Sequence, residues 1–170
     1  MKRRHAIAIV ISSSLALAAS ATGIAQSAPA PGGGLQVLDF KPGFDDLMTM
    51  LVQPRHIKLY AAGQQKNWEL AGFQLNELRA SLRRIGQTIP TYRTYPVDSS
   101  VASIFAPRMQ AMDAAIKSGD PAQFATAYGE LTAACNTCHQ AMEHAFLVMK
   151  VPSTAAMAAF IDQEFDAITK

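Results

Sequence analysis

Residues 120–146 read DPAQFATAYGELTAACNTCHQAMEHAF, and the spacing within them decides the fold class. Gly119 is suited to close a preceding helix, Asp120 to cap a new one, and Pro121 to occupy its first turn. From there Phe124, Tyr128, Leu131, Cys135, Cys138, Met142 and Phe146 follow one another in steps of three and four residues. That spacing predicts a helix with one apolar stripe, and it puts both thiols on the same face as the large core side chains. Whatever the thiols bind is therefore expected in the core, with other helices covering the stripe.

Working outward, strand signals are scarce from Phe44 onward, because Ala, Leu, Met, Gln and Glu dominate and alternating Val, Ile and Thr runs are absent. An all-α domain is predicted. A first helical region runs from Phe44 to Ala62, kinked at Pro54 and ended by Gly63. In the second, Trp68, Ala71, Leu75, Leu78, Leu82 and Ile85 form one stripe. A loop from Gly86 to Pro96 leads to a third helix from Asp98 to Lys117, with Val101, Phe105, Met109, Met112 and Ile116 inward and a kink at Pro107. After Pro152, a short terminal helix carrying Met157, Phe160, Ile161, Phe165 and Ile168 is expected, with Ser153 or Thr154 as its cap. No internal repeat of the solenoid type is visible.

The amino-terminal end reads differently. Lys2, Arg3 and Arg4 precede an uncharged run rich in Ala, Ile, Leu and Ser, with small residues Gly23 and Ala25 at its close, as in a cleaved secretory signal over residues 1–25. Residues 26–38, with Pro29, Pro31 and Gly32 to Gly34, read as a flexible linker, and residues 39–170 as one helical domain. Signal removal leaves 12 Lys and Arg against 13 Asp and Glu, a formal charge of −1, and no membrane-spanning segment is expected afterwards. With no concentrated basic patch, nucleic acid is not an expected partner; Arg79, Arg83 and Arg84 read as a solvated helix face.

Cys135-Asn136-Thr137-Cys138-His139 matches C-x-x-C-H, the pattern for covalent attachment of c-type haem through two thioether bonds. On a helix, Cys135 and His139 are one turn apart and Cys138 is three residues from Cys135. The thiols can thus hold one edge of the ring while the imidazole reaches the iron as proximal ligand. A thioredoxin-like redox pair belongs at the end of a strand in a βαβ unit, which is not predicted here. A zinc site would crowd these residues on one face, with His56 and His144 the only other histidines of the exported chain. One covalent haem c is the expected cofactor. His144, about 140° around a continuous helix from His139, is expected at the surface or in packing.

Only 31 residues follow His139. A late C-x-x-C-H motif on the fourth helix of an all-α chain resembles the class II c-type cytochromes, the family of cytochrome c-prime and its low-spin relatives. The resemblance covers residues 44–146, and its one sharp motif is Cys135 to His139. It implies an antiparallel four-helix bundle with haem between the helices and a distal face supplied by the first helix, where low-spin members use methionine and cytochrome c-prime leaves the position open. Met48 is the first candidate for distal ligand, sharing a face with Val52 and Leu59, followed by Met50 and His56, with Met157 more remote. Arg55 and Lys58 are available to haem propionates, His56 between them reads alternatively as half-exposed near a propionate, and Tyr60 or Trp68 are available to line the pocket. Residues 148–170 extend beyond the family pattern, to cover either the haem edge or a partner surface.

The function expected on this basis is that of a periplasmic one-electron carrier, exported in a bacterial cell and exchanging electrons with redox partner proteins of the envelope. The alternatives are a five-coordinate haem that binds a small gas such as NO or CO, and a haem subunit of an envelope complex. No catalytic residues are expected, since neither a Ser/His/Asp set nor a phosphate-binding glycine loop is visible. The resemblance also implies that a homodimer can form through the first two helices.

Overall fold

The computed structural model describes residues 41–153 together with 157, 163 and 165–167. The expected signal segment and linker, Thr154, and the terminal-helix residues Phe160, Ile161 and Ile168, lie outside the described residues.

The described chain is mainly helical, with four helical segments and one two-stranded sheet. The first segment covers residues 44–64 and consists of Phe44–Leu47, a π-helical turn Met48–Val52, and Gln53–Gln64. The second is Trp68–Thr88. The third covers residues 97–118 as Val97–Ser100, a π-helical turn Val101–Phe105, and Ala106–Ser118. The fourth is Pro121–Ala141. The first packs along the second and the third along the fourth, while the second also meets the third and the fourth meets the first.

Both prolines are absorbed in the same way. Each lacks an N–H and would press on the carbonyl one turn back, and each is preceded by a widened π turn. In the first segment the Gln53 N–H reaches back five residues to the Met48 carbonyl just before Pro54. The predicted kinks are therefore π turns, a known response to strain in the helical ladder.

The segment ends follow capping rules with one correction. Asp120 Oδ1 accepts from the backbone N–H of Ala122 and Gln123, and Gly119 takes a left-handed φ of 67°, as expected. Gly63, predicted to end the first helix, instead lies inside it and is buried. A Cβ there would sit 2.0 Å from Phe124 Cζ, so this glycine permits close approach to the fourth helix. The actual terminator is Lys66, at φ 55°, with its N–H on the Gly63 carbonyl and the Asn67 N–H on the Ala62 carbonyl. This is a Schellman end built without glycine.

The core is the set of stripes the spacing predicted. Leu59, Leu75, Leu78, Ile85, Met112, Phe124, Tyr128 and Leu131 are all buried. The expected loop 86–96 is shorter than predicted, because the second helix runs on to Thr88. Its remainder holds a small hairpin, Thr91–Tyr92 paired with Tyr95–Pro96. Near the far end of the chain, the Asn67 side chain donates to the carbonyls of Phe165 and Asp166, tying the tail to the start of the second helix.

Candidate functional site

Cys135, Cys138 and His139 lie in the last turns of the fourth helix and line one cavity of about 240 Å³. The π turn of the first segment forms another wall of it through Met48, Thr49 and Val52. A second cavity of about 370 Å³ shares Met48, Thr49, His139 and Leu147 with the first and adds Tyr92 and His144. A larger groove of about 540 Å³ runs between the second and third helices, meets the first cavity at Leu82 and Phe105, and contains none of the motif residues. The chemistry of the C-x-x-C-H residues, not size, makes the two smaller cavities the candidate site.

No disulfide joins the two thiols, and both are held in apolar surroundings. Cys135 Sγ lies 3.5 Å from the Leu131 carbonyl, and Cys138 Sγ is 3.8 Å from both the Tyr95 hydroxyl and Met142 Sδ. Burial, with Cys138 beside it, pushes the Cys135 thiol up to about 12, and burial raises Cys138 as well. A redox-active C-x-x-C has the opposite tendency, toward a stabilised thiolate.

His139 is held by its outer nitrogen. Nδ1 is 2.6 Å from the Leu147 carbonyl, which can only accept, so Nδ1 carries the proton. Among the described residues, Nε2 has no hydrogen-bond partner. An imidazole whose second nitrogen donates to a backbone carbonyl is the usual arrangement of a metal-ligating histidine. The donor set thus fits a haem iron, with Cys135 and Cys138 placed one turn and one residue before His139. Among the described residues there is no group of three or more His, Cys, Asp or Glu side chains able to hold a bare metal ion.

The distal candidates separate cleanly. Met48 is partly buried and lines both cavities with His139. Met50 is 58% exposed and lines neither. His56, expected half-exposed near a propionate or at the iron, is 1% exposed and lines neither cavity. Its Nε2 is 2.9 Å from Thr132 Oγ1 and its Nδ1 2.9 Å from the Tyr128 hydroxyl. Thr132 Oγ1 also lies 2.9 Å from the Tyr128 carbonyl, and the Tyr128 hydroxyl 2.8 Å from the His56 carbonyl, so the ring sits in a closed network of the two helices. Burial lowers the His56 pKa from 6.5 to about 4. With both nitrogens engaged in a buried network, His56 is a core residue and not a free ligand.

Other expectations need correction. Arg55 donates to the Leu51 carbonyl and pairs with Glu77 at 3.5 Å, so its guanidinium is already engaged. Tyr60 packs on Tyr128 and Trp68 on Phe124, away from the motif; neither these two, nor Lys58, nor Met157 lines either cavity. Phe146 is 76% exposed because the fourth helix stops at Ala141, five residues before the predicted stripe ends. The same stop ends the helical spacing of His144, which is half-buried, packs on Tyr92 and Phe146 as a packing histidine, and also lines the cavity that His139 lines.

The sequence reading missed the segment that follows. Glu143 takes φ 62°, its N–H bonds to the Gln140 carbonyl, and the His144 N–H bonds to the His139 carbonyl. Residues 144–150 then run back beside the helix and contribute Phe146, Leu147, Val148 and Met149 to the cavity walls. Neither glycine nor proline marks this reversal; Pro152, beyond it, was the available signal. In comparisons with known proteins, no family model, no curated protein and no solved structure matches the chain.

Proposed function

We propose that this chain is an exported, monohaem c-type cytochrome with a class II-like four-helix bundle, acting as a one-electron carrier of the bacterial periplasm. The observation that carries the reading is the placement of Cys135, Cys138 and His139 in one cavity, with His139 Nδ1 committed to Leu147 and Nε2 without a hydrogen-bond partner among the described residues. Bound there, haem c would supply an iron that cycles between two oxidation states. Cys135 and Cys138 would hold it through thioether sulfurs, and His139 would be the proximal ligand.

The chain's own part is to orient and to exclude water. Leu147 fixes the imidazole plane through its carbonyl. Leu82, Phe105 and Val52 give the cavity apolar walls, which favour a buried, slowly reorganising cofactor. Met48 is the distal ligand in this reading, since it alone among Met48, Met50 and His56 lines the cavity that holds the motif. A thioether opposite an imidazole raises the reduction potential and suits electron transfer to envelope partners.

The test is the reduced optical spectrum of protein purified from a host that attaches haem c, taken with and without carbon monoxide. Sharp low-spin bands unmoved by the gas are expected. Broad high-spin bands that shift with it would replace the carrier by a small-gas-binding protein with an open iron. A colourless product would overturn the haem reading itself.

A further inference from the structure

We infer that Asn136, a spacer residue of the C-x-x-C-H motif, is a positioning residue that clamps the returning strap 144–150 and so holds the Leu147 carbonyl on His139. The half of this inference that concerns the iron ligand rests on the function proposed above; the clamp itself does not.

The side-chain amide of Asn136 engages one backbone residue in both directions. The Met149 N–H donates to Asn136 Oδ1 at 2.7 Å, and Asn136 Nδ2 donates to the Met149 carbonyl at 3.0 Å. Three residues along the helix, His139 Nδ1 meets the Leu147 carbonyl, two residues back along the strap. The strap therefore runs antiparallel to the helix and is fastened at two successive points. Side chains at i and i+3 share a helix face, which is why Asn136 and His139 can both reach it.

Apolar burial does little to hold this strap in place. Phe146, Leu147, Val148 and Val151 are among the few large apolar residues that are exposed. The reversal also begins at Glu143 in a left-handed conformation, which a non-glycine residue adopts unfavourably. Beside the contact of the His144 ring with Tyr92, polar ties carry the strap, and among the described residues the Asn136 pair binds both backbone groups of Met149. Asparagine is the side chain that presents a donor and an acceptor at this reach. Aspartate has no donor and glutamine is one methylene longer.

Thr137 is the internal control. It sits beside Asn136 in the motif, is exposed, and bonds only to the Ala133 carbonyl of its own helix. Hydrogen exchange on the full chain and the midpoint potential of the haem-loaded protein test the clamp and the relay separately. Asn136→Ala is expected to speed exchange of the Met149 amide by about tenfold or more, from loss of the part-buried bond that its N–H makes to Asn136 Oδ1, with helix amides unchanged. It should also move the midpoint potential to more positive values, because an imidazole that loses its N–H···O partner is a weaker donor to iron. Thr137→Ala should do neither.

Unchanged strap exchange in Asn136→Ala would overturn the clamp. Faster exchange with an unmoved potential would overturn the relay through Leu147. If Asn136→Ala fails to fold, Asn136→Asp decides, since it keeps the acceptor for the Met149 N–H and loses the donor: intermediate exchange and an intermediate potential are expected, and wild-type values for both would refute the inference. If the wild-type protein carries no haem, the proposed function and the relay fail together while the exchange arm still decides the clamp.

Discussion

His56 makes stability depend on pH through a single buried ring. Folding removes it from water and lowers its pKa from 6.5 to about 4. Between those values the unfolded chain binds a proton that the folded chain does not. Unfolding therefore becomes easier as pH falls from 6.5 toward 4, and below 4 both states are protonated and the contribution is flat. Each pH unit in the window is worth about 1.4 kcal/mol, so the whole is on the order of 3 kcal/mol, a large part of a domain's marginal stability. The assay is urea unfolding of the haem-loaded protein at steps from pH 7.5 to 4, wild type against His56→Gln. Glutamine can still meet the Thr132 and Tyr128 hydroxyls but does not titrate, so the difference in slope isolates the ring from the carboxylates. Equal slopes for the two proteins between pH 6.5 and 4 would refute the reasoning, as would a His56 ring resonance that titrates near 6.5 in the folded state.

Replacing Glu143 by glycine should stabilise the protein by about 0.5–1 kcal/mol, because the left-handed φ of 62° no longer opposes a Cβ; thermal unfolding reads it, and a destabilised variant would mean that the Glu143 side chain supports the reversal. Gly63→Ala should cost about 1–3 kcal/mol or more in urea unfolding, since its Cβ would fall 2.0 Å from Phe124 Cζ in a fully packed region; a neutral result would show that the first and fourth helices can separate freely there. Met48→Ala is expected to convert a low-spin spectrum to a high-spin one that responds to carbon monoxide, while Met50→Ala, at an exposed position, leaves the spectrum as it was; the reverse pattern would move the distal assignment to Met50.

What was legible in the sequence followed from periodicity and from local capping chemistry. Stripes such as Leu75, Leu78, Leu82 and Ile85 lie in the core because three- and four-residue steps put them on one face whatever the partner helix. The start at Asp120 and Pro121 was legible because its hydrogen bonds are made within three residues. Gly63 was misread for the converse reason. A glycine near a helix end satisfies the local rule for a stop, and only the ring of Phe124, brought there from 61 residues away, shows that it permits close packing. His56 was misplaced likewise: beside Arg55 and Lys58 it looks half-exposed, while its partners Tyr128 and Thr132 come from the fourth helix.

The end of the fourth helix is where local and tertiary preferences conflict, and the candidate site depends on which prevails. Residues 140–146 contain no glycine or proline, and their apolar spacing favours continuing the helix through Phe146. Continuation would keep the Leu147 carbonyl in the helical ladder, leave Asn136 without Met149, and carry His144 away from His139. The observed reversal gives up that register and accepts a left-handed glutamate, and in return gains the Asn136–Met149 pair and the His139–Leu147 bond. The two Asn136–Met149 bonds are part-buried and the His139–Leu147 bond is exposed; at about 1 kcal/mol net each, together they offset a left-handed penalty of about 1–2 kcal/mol. The strap is therefore held by several ties at once. A variant that releases Asn136 should release Leu147 with it, and the imidazole of His139 would report the release through the iron proposed to bind it.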